Sequence, residues 1–177
     1  MPIAASISRK ALLHPPRKPG GTDGDWWPYF ELHRGLYQPP QSRGWTCSAC
    51  SIDWVFHSTG LNPESNREWV VGQLGYPDCI NENVGLRDTA CAVDLLSEYA
   101  PTNQEWVGWD RAWELCSYTT GLLNSTTWQH FVAIRGTQGG ALWVANSAIG
   151  WMGIGETIDR GQFERWSGSW QIVWLVH

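Results

Sequence analysis

The chain holds only two lysines among its 177 residues, against ten arginines, and charged residues make up just 16% of it. With a net charge of −5, it lacks the basic face that a nucleic-acid footprint requires. No run of about 18 apolar residues is present, so the sequence offers no membrane-spanning helix. Arg9 and Lys10 interrupt the short apolar run from Met1 to Leu13, which is not the pattern of a secretory signal. Internal repeats are absent. Metal-ligand spacing is scarce as well: Cys47-x-x-Cys50 could be half of a zinc site, but no second Cys-x-x-Cys or His pair at the usual spacing follows. The same pair could be a redox dithiol, but no βαβ unit leads into it. No cofactor or metal is implied. The five cysteines (Cys47, Cys50, Cys79, Cys91, Cys116) form no even framework, which predicts a reduced, intracellularly made protein with Cys91 and Cys116 acting as small hydrophobes in apolar helical patterns.

What is in excess is tryptophan, with 14 residues in a chain that is 42% hydrophobic. Aromatic rings dominate buried area generally, so packing is the first expectation and stacking against a flat ligand the second. The length fits one domain with a substantial core. Residues 1–36 read as an extended N-terminal arm, rich in Pro and Gly, whose first 24 residues order poorly; residues 37–177 read as the folded domain. Trp26-Trp27-Pro28-Tyr29-Phe30 is an aromatic patch expected to dock on that domain, with contact to a partner protein as the alternative.

The central stretch is Gln41-Ser42-Arg43-Gly44-Trp45-Thr46-Cys47. A polar loop delivers Cys47 to the first turn of a helix that runs without Gly or Pro to Thr59 and stops at Gly60, with Pro63 beyond. A helix N-terminus presents unpaired N–H groups and a partial positive charge, which can lower a thiol pKa from about 8.5 to roughly 3.5–7.5. Further helices are predicted near 64–72, 85–99 and 109–116, then strands at 120–123, 129–135 and 141–146, a short helix at 160–166 and a final strand at 170–176. Helices followed by antiparallel strands imply an α+β fold with helices packed on a C-terminal sheet.

The strands 129–135 and 141–146 read as a hairpin around the loop 136–140. If the loop is centred on Gln138, His130 stands opposite Asn146, within reach of an amide that could orient the imidazole. A helix-borne cysteine with a sheet-borne His and Asn is a nucleophile–base–orienter arrangement. His57 lies ten residues along the helix from Cys47 and points elsewhere.

Gln41 six positions before Cys47, Gly60 thirteen positions after it, His130 in Gln-His-Phe-Val-Ala-Ile and Asn146 in Trp-Val-Ala-Asn-Ser together resemble a papain-like cysteine peptidase. The branch they look most like is that of the bacteriocin-processing, double-glycine leader peptidases. The resemblance implies a papain-like fold, Cys47 as nucleophile, His130 as base, Asn146 as orienting residue and Gln41 as part of the oxyanion hole. It departs from the branch at Thr46, Ser48 and Asn146, where an acidic residue, Gly and Asp are usual. Those departures, and the lack of any transporter segment, point away from a double-glycine leader as substrate. The arginine bias suggests a source of high G+C content, and the free-standing format, absent signal sequence and tryptophan excess suggest a bacteriophage enzyme, made in the host cytoplasm. It would cleave peptidoglycan peptides at lysis or entry, or be carried in a virion or tail with arm residues 1–36 contacting other virion proteins. The rival expectation is a non-catalytic papain-like binding module of a virion.

Overall fold

A computed structural model describes residues 26–177. Six helices pack with a six-stranded antiparallel sheet and a two-stranded hairpin. The elements run α1 (Trp26–His33), α2 (Cys47–Thr59), α3 (Arg67–Gln73), β1 (Ile80–Asn81), β2 (Gly85–Leu86), α4 (Thr89–Ser97), β3 (Thr102–Trp106), α5 (Trp109–Tyr118), β4 (Gly121–Ser125), β5 (His130–Gln138), β6 (Ala141–Ala145), β7 (Thr157–Ile158), α6 (Arg160–Arg165) and β8 (Trp170–Leu175). The large sheet has the order β3-β8-β4-β5-β6-β7, and β1 pairs with β2. The mixed α+β architecture expected from the sequence is the one observed.

α2 is buried almost all round, as a helix sandwiched inside a domain must be. Ser51 Oγ lies 2.8 Å from Cys47 O and 3.2 Å from Phe131 O, so one hydroxyl joins the first turn of α2 to β5. Gly60 ends the helix at φ 67°, a left-handed position that suits glycine. One core lies between α1, α2, α4 and one face of the sheet; the other lies on the opposite face, against α5 and α6.

Three expectations change here. The arm expected over 1–36 is helical over Trp26–His33, and Trp26 and Phe30 are buried in the α2 core. The aromatic patch therefore docks on the body, because burying two large rings outweighs the cost of ordering two turns of helix. The expected arm of residues 1–24 lies outside the described residues. The helix expected over 85–99 begins only at Thr89, where the Asp88 side chain accepts from Ala90 N. Residues 85–86 belong instead to the β1–β2 hairpin. That hairpin is closed by a Cys79–Cys91 disulfide with the Cα atoms 6.6 Å apart, so Cys91 is a bonded cysteine and not the free hydrophobe predicted.

The β5–β6 hairpin is longer and tighter than expected. β5 continues to Gln138, and only Gly139 and Gly140 turn the chain, at φ 58° and 78°. Two successive positive φ values are what a two-residue turn of this type needs. Arg135 is an extra residue: Ile134 pairs with Val144, but Gly136 pairs with Trp143. This bulge gives Arg135 its role. Its guanidinium is buried between the Trp54 and Trp143 rings, 5.0 and 5.5 Å from their centroids. It donates to Arg34 O at 2.8 Å, Leu36 O at 2.6 Å and Val144 O at 3.2 Å. Arg135→Met removes these donors from buried carbonyls and is expected to lower unfolding stability by about 3 kcal/mol. Urea denaturation measures it, and an unchanged midpoint would show that the clamp contributes nothing.

Candidate active site

Cys47 stands at the first turn of α2, on the floor of a groove of about 720 Å³. One wall is the disulfide-closed hairpin, including Glu82, Asn83 and Val84; the other is the sheet, through Asn124, Gln171 and Trp106. The Cys47 Sγ accepts the Phe131 N–H at 3.4 Å. Phe131 is the next residue after His130, so the sulfur sits at the start of β5.

His130 is buried, and its Nε2 lies 2.8 Å from Asn146 Oδ1. The rest of the Asn146 amide fixes which atom does what. Its Nδ2 donates to Gly155 O at 2.9 Å and Ile154 O at 3.3 Å, and its Oδ1 also accepts from Ala148 N at 2.9 Å. The oxygen therefore faces the imidazole, Nε2 carries the proton, and Nδ1 keeps its lone pair. Nδ1 has no hydrogen-bond partner among the described residues. Trp128 meets the His130 ring edge to face at 4.8 Å.

The expected pairing of His130 with Asn146 holds as a contact, but the expected register does not. The observed ladder pairs Ala133 with Ala145 and Ile134 with Val144, two residues away from a hairpin centred on Gln138. Continued outward, it sets Val132 opposite Asn146 and His130 on the diagonal. A shift of two keeps both residues on one face, and long side chains reach across a diagonal. The bulge is essential to this. With the register found beyond Gly136, an unbulged β5 would turn His130 to the opposite face.

Gln41 is tied to the same region. Its backbone N donates to Ser147 O at 2.8 Å, and its Oε1 accepts from Ser147 Oγ at 2.8 Å. Its Nε2 donates to Arg43 O at 3.1 Å, which leaves the second hydrogen of that amide unused. Of the four expected site residues, Cys47 alone lines the groove; His130, Asn146 and Gln41 stand behind it. No hydrogen bond joins Cys47 to His130.

The thiol departs from expectation. Burial pushes the Cys47 thiol up to about 11, outweighing the lowering by the N–H groups of Phe131, Ser48 and Cys47 itself. The helix-start argument is thus overruled by desolvation, which penalises the charged form. Burial also holds His130 below its ordinary value, opposed only by the Asn146 bond. Both groups are neutral at rest. Cys50 is a buried free thiol 3.9 Å from Thr46 Oγ1, in keeping with a packing role. His57 bonds to Ser65 O and Asp53. Sequence reasoning did not reach Ser51, Ser147 or Phe131, whose roles depend on contacts across the chain.

A central helix carrying a cysteine, packed on an antiparallel sheet that carries a His–Asn pair, defines the papain-like α+β fold. Among solved structures, the chain is similar to a double glycine motif protease from an AMS/PCAT transporter in complex with the leader peptide. The TM-score is 0.60 at 14% identity, over 78% of this chain and 89% of that one. It is also similar to the peptidase domain of Streptococcus ComA, a bi-functional ABC transporter involved in a quorum sensing pathway. There the TM-score is 0.56 at 11% identity, over 78% of this chain and 97% of that one. At these identities the likeness is one of fold. No protein-family model matches the chain, and no curated protein matches it by sequence.

Proposed function

We propose that this chain is a cysteine peptidase that hydrolyses peptide bonds through Cys47, His130 and Asn146. The observation that carries the reading is the Asn146 amide, which leaves the proton on His130 Nε2 and a bare lone pair on Nδ1, one residue from the amide that holds the Cys47 sulfur. His130 Nδ1 takes the thiol proton as the sulfur attacks the substrate carbonyl, and the Cys47 N–H and the free Gln41 N–H support the oxyanion. The imidazolium then protonates the leaving amine, and water, deprotonated by the same His, cleaves the thioester. Because both groups rest neutral, transfer accompanies attack and no resting ion pair is needed.

Iodoacetamide alkylation of Cys47 tests this. Its rate is expected to fall at least about tenfold in His130→Ala, in line with loss of a general base. In the wild type it falls as pH drops through the His130 pKa, which lies below 6.5. A thiol ionising unaided would instead react ever faster up to about pH 11, and no effect of His130→Ala would sink the catalytic reading. The second reading is a non-catalytic binding module. It is favoured by the buried neutral thiol, which bonds the Phe131 amide and not the imidazole, and the same experiment separates the two.

For substrate and setting, the finer proposal is a phage enzyme acting on peptidoglycan peptides, drawn from the tryptophan excess of the sequence. Digestion of purified peptidoglycan with mass spectrometry of the released peptides tests it; an absence of new amine termini would overturn it.

A further inference from the structure

Of the 14 tryptophans, only two are more than half exposed, Trp106 at 60% and Trp151 at 54%. Both stand on the groove that holds Cys47. The position of Trp106 is set by the sheet. Trp106 pairs with Gln171, Gln171 with Asn124, and Asn124 with Phe131. Directly paired residues share a face, so these side chains form one row across β3, β8, β4 and β5, with strands about 4.8 Å apart. The row runs from the open sheet edge to the residue whose N–H holds the Cys47 sulfur.

The row is polar and open to the groove. Asn124 is 7% exposed and lines the groove, yet neither its carboxamide nor that of Gln171 has a hydrogen-bond partner among the described residues. Their polar atoms are not sealed from water, so both amides are open to a ligand in the groove. The Trp106 indole likewise meets no ring, cation or hydrogen-bond partner among the described residues. An apolar amino-acid side chain would call for a walled apolar pocket. Here a bare flat face is bordered by groups that each donate and accept, which matches a pyranose: C–H bonds on its face and hydroxyls around its rim.

We infer that Trp106, Gln171 and Asn124 form a carbohydrate subsite, and that the substrate of the Cys47 site is a peptide joined to a glycan. The substrate half rests on the peptidase reading; the subsite half does not. Isothermal titration calorimetry of the full chain with tetra-N-acetylchitotetraose and with mannotetraose tests the subsite. Binding of the first points to a cell-wall type of amino sugar, binding of the second to a glycoprotein glycan, and either supports the subsite. Trp106→Ala and Asn124→Ala are each expected to weaken it about tenfold, the scale of one stacked or bonded contact. No binding of either sugar, or equal affinity in both variants, overturns it. For the substrate, KM is compared for one peptide with and without its disaccharide. The glycan is expected to lower KM about tenfold, with the ratio falling toward one in Trp106→Ala. If Trp106→Ala raises KM equally for both forms, the row reads peptide and the inference falls. Sugar binding with no cleavage of either peptide overturns the peptidase reading and the substrate half with it.

Discussion

Cys47→Ala is expected to lower kcat for peptide hydrolysis by about 10⁴-fold or more, the scale seen when a nucleophile is removed and only binding and the oxyanion donors remain. The fold should survive, because the change removes a single sulfur atom from the edge of the core, together with its weak acceptance of the Phe131 N–H. Cys116→Ala serves as a control, since Cys116 is buried in the core on the other face of the sheet. A fluorogenic peptide that wild type cleaves under reducing conditions provides the measurement. Retention of cleavage in Cys47→Ala, with Cys116→Ala indistinguishable from it, would assign the activity elsewhere.

Asn146→Asp is expected to cost more stability than its size suggests. The Asn146 Nδ2 donates to the carbonyls of Ile154 and Gly155. A carboxylate has no hydrogen to give and sets an anionic oxygen against both. Losing two buried donors predicts a decrease of about 2–4 kcal/mol in unfolding free energy. It also predicts a change in the pH profile. The added charge beside Nε2 favours the imidazolium, so the acid limb of Cys47 alkylation moves upward from its position below 6.5. The sign for the wild type is the complement. A His held below its unfolded value stabilises the fold fully above about pH 6.5, and that contribution is lost as pH falls toward the folded pKa. Thermal melts across pH 5–8 measure both effects; an Asn146→Asp melt matching wild type would show that the amide hydrogens do not matter. The same two donor bonds give a physical reason why this position is Asn.

Much of this site is legible in the sequence because it depends on local signals. A stretch free of Gly and Pro ending at Gly60 gives α2, and the strand pattern on either side of residues 136–140 gives the hairpin. What failed depends on tertiary context. β5 is buried on both faces from His130 to Gly136, so no alternation of apolar and polar residues marks the phase, and the bulge at Arg135 is invisible. β3 reads Thr-Asn-Gln-Glu-Trp, an edge strand with little β-branched signal. The Cys79–Cys91 bond joins residues twelve apart, and spacing alone cannot disclose that a hairpin brings them together. The helix position of Cys47 favours the thiolate, whereas its protonation is decided by what covers it.

The bulge at Arg135 also divides the hairpin into a part that tolerates engineering and a part that does not. Beyond it lies the tip at Gly139 and Gly140, both exposed, where a peptide tag or a short reporter could be spliced in without touching the sheet face that holds His130. A single-residue deletion at position 135 would do the opposite. It would leave the composition of the strand almost intact, yet reverse which side chains face Asn146 and release the chain segment at Arg34 and Leu36 that leads toward Gln41.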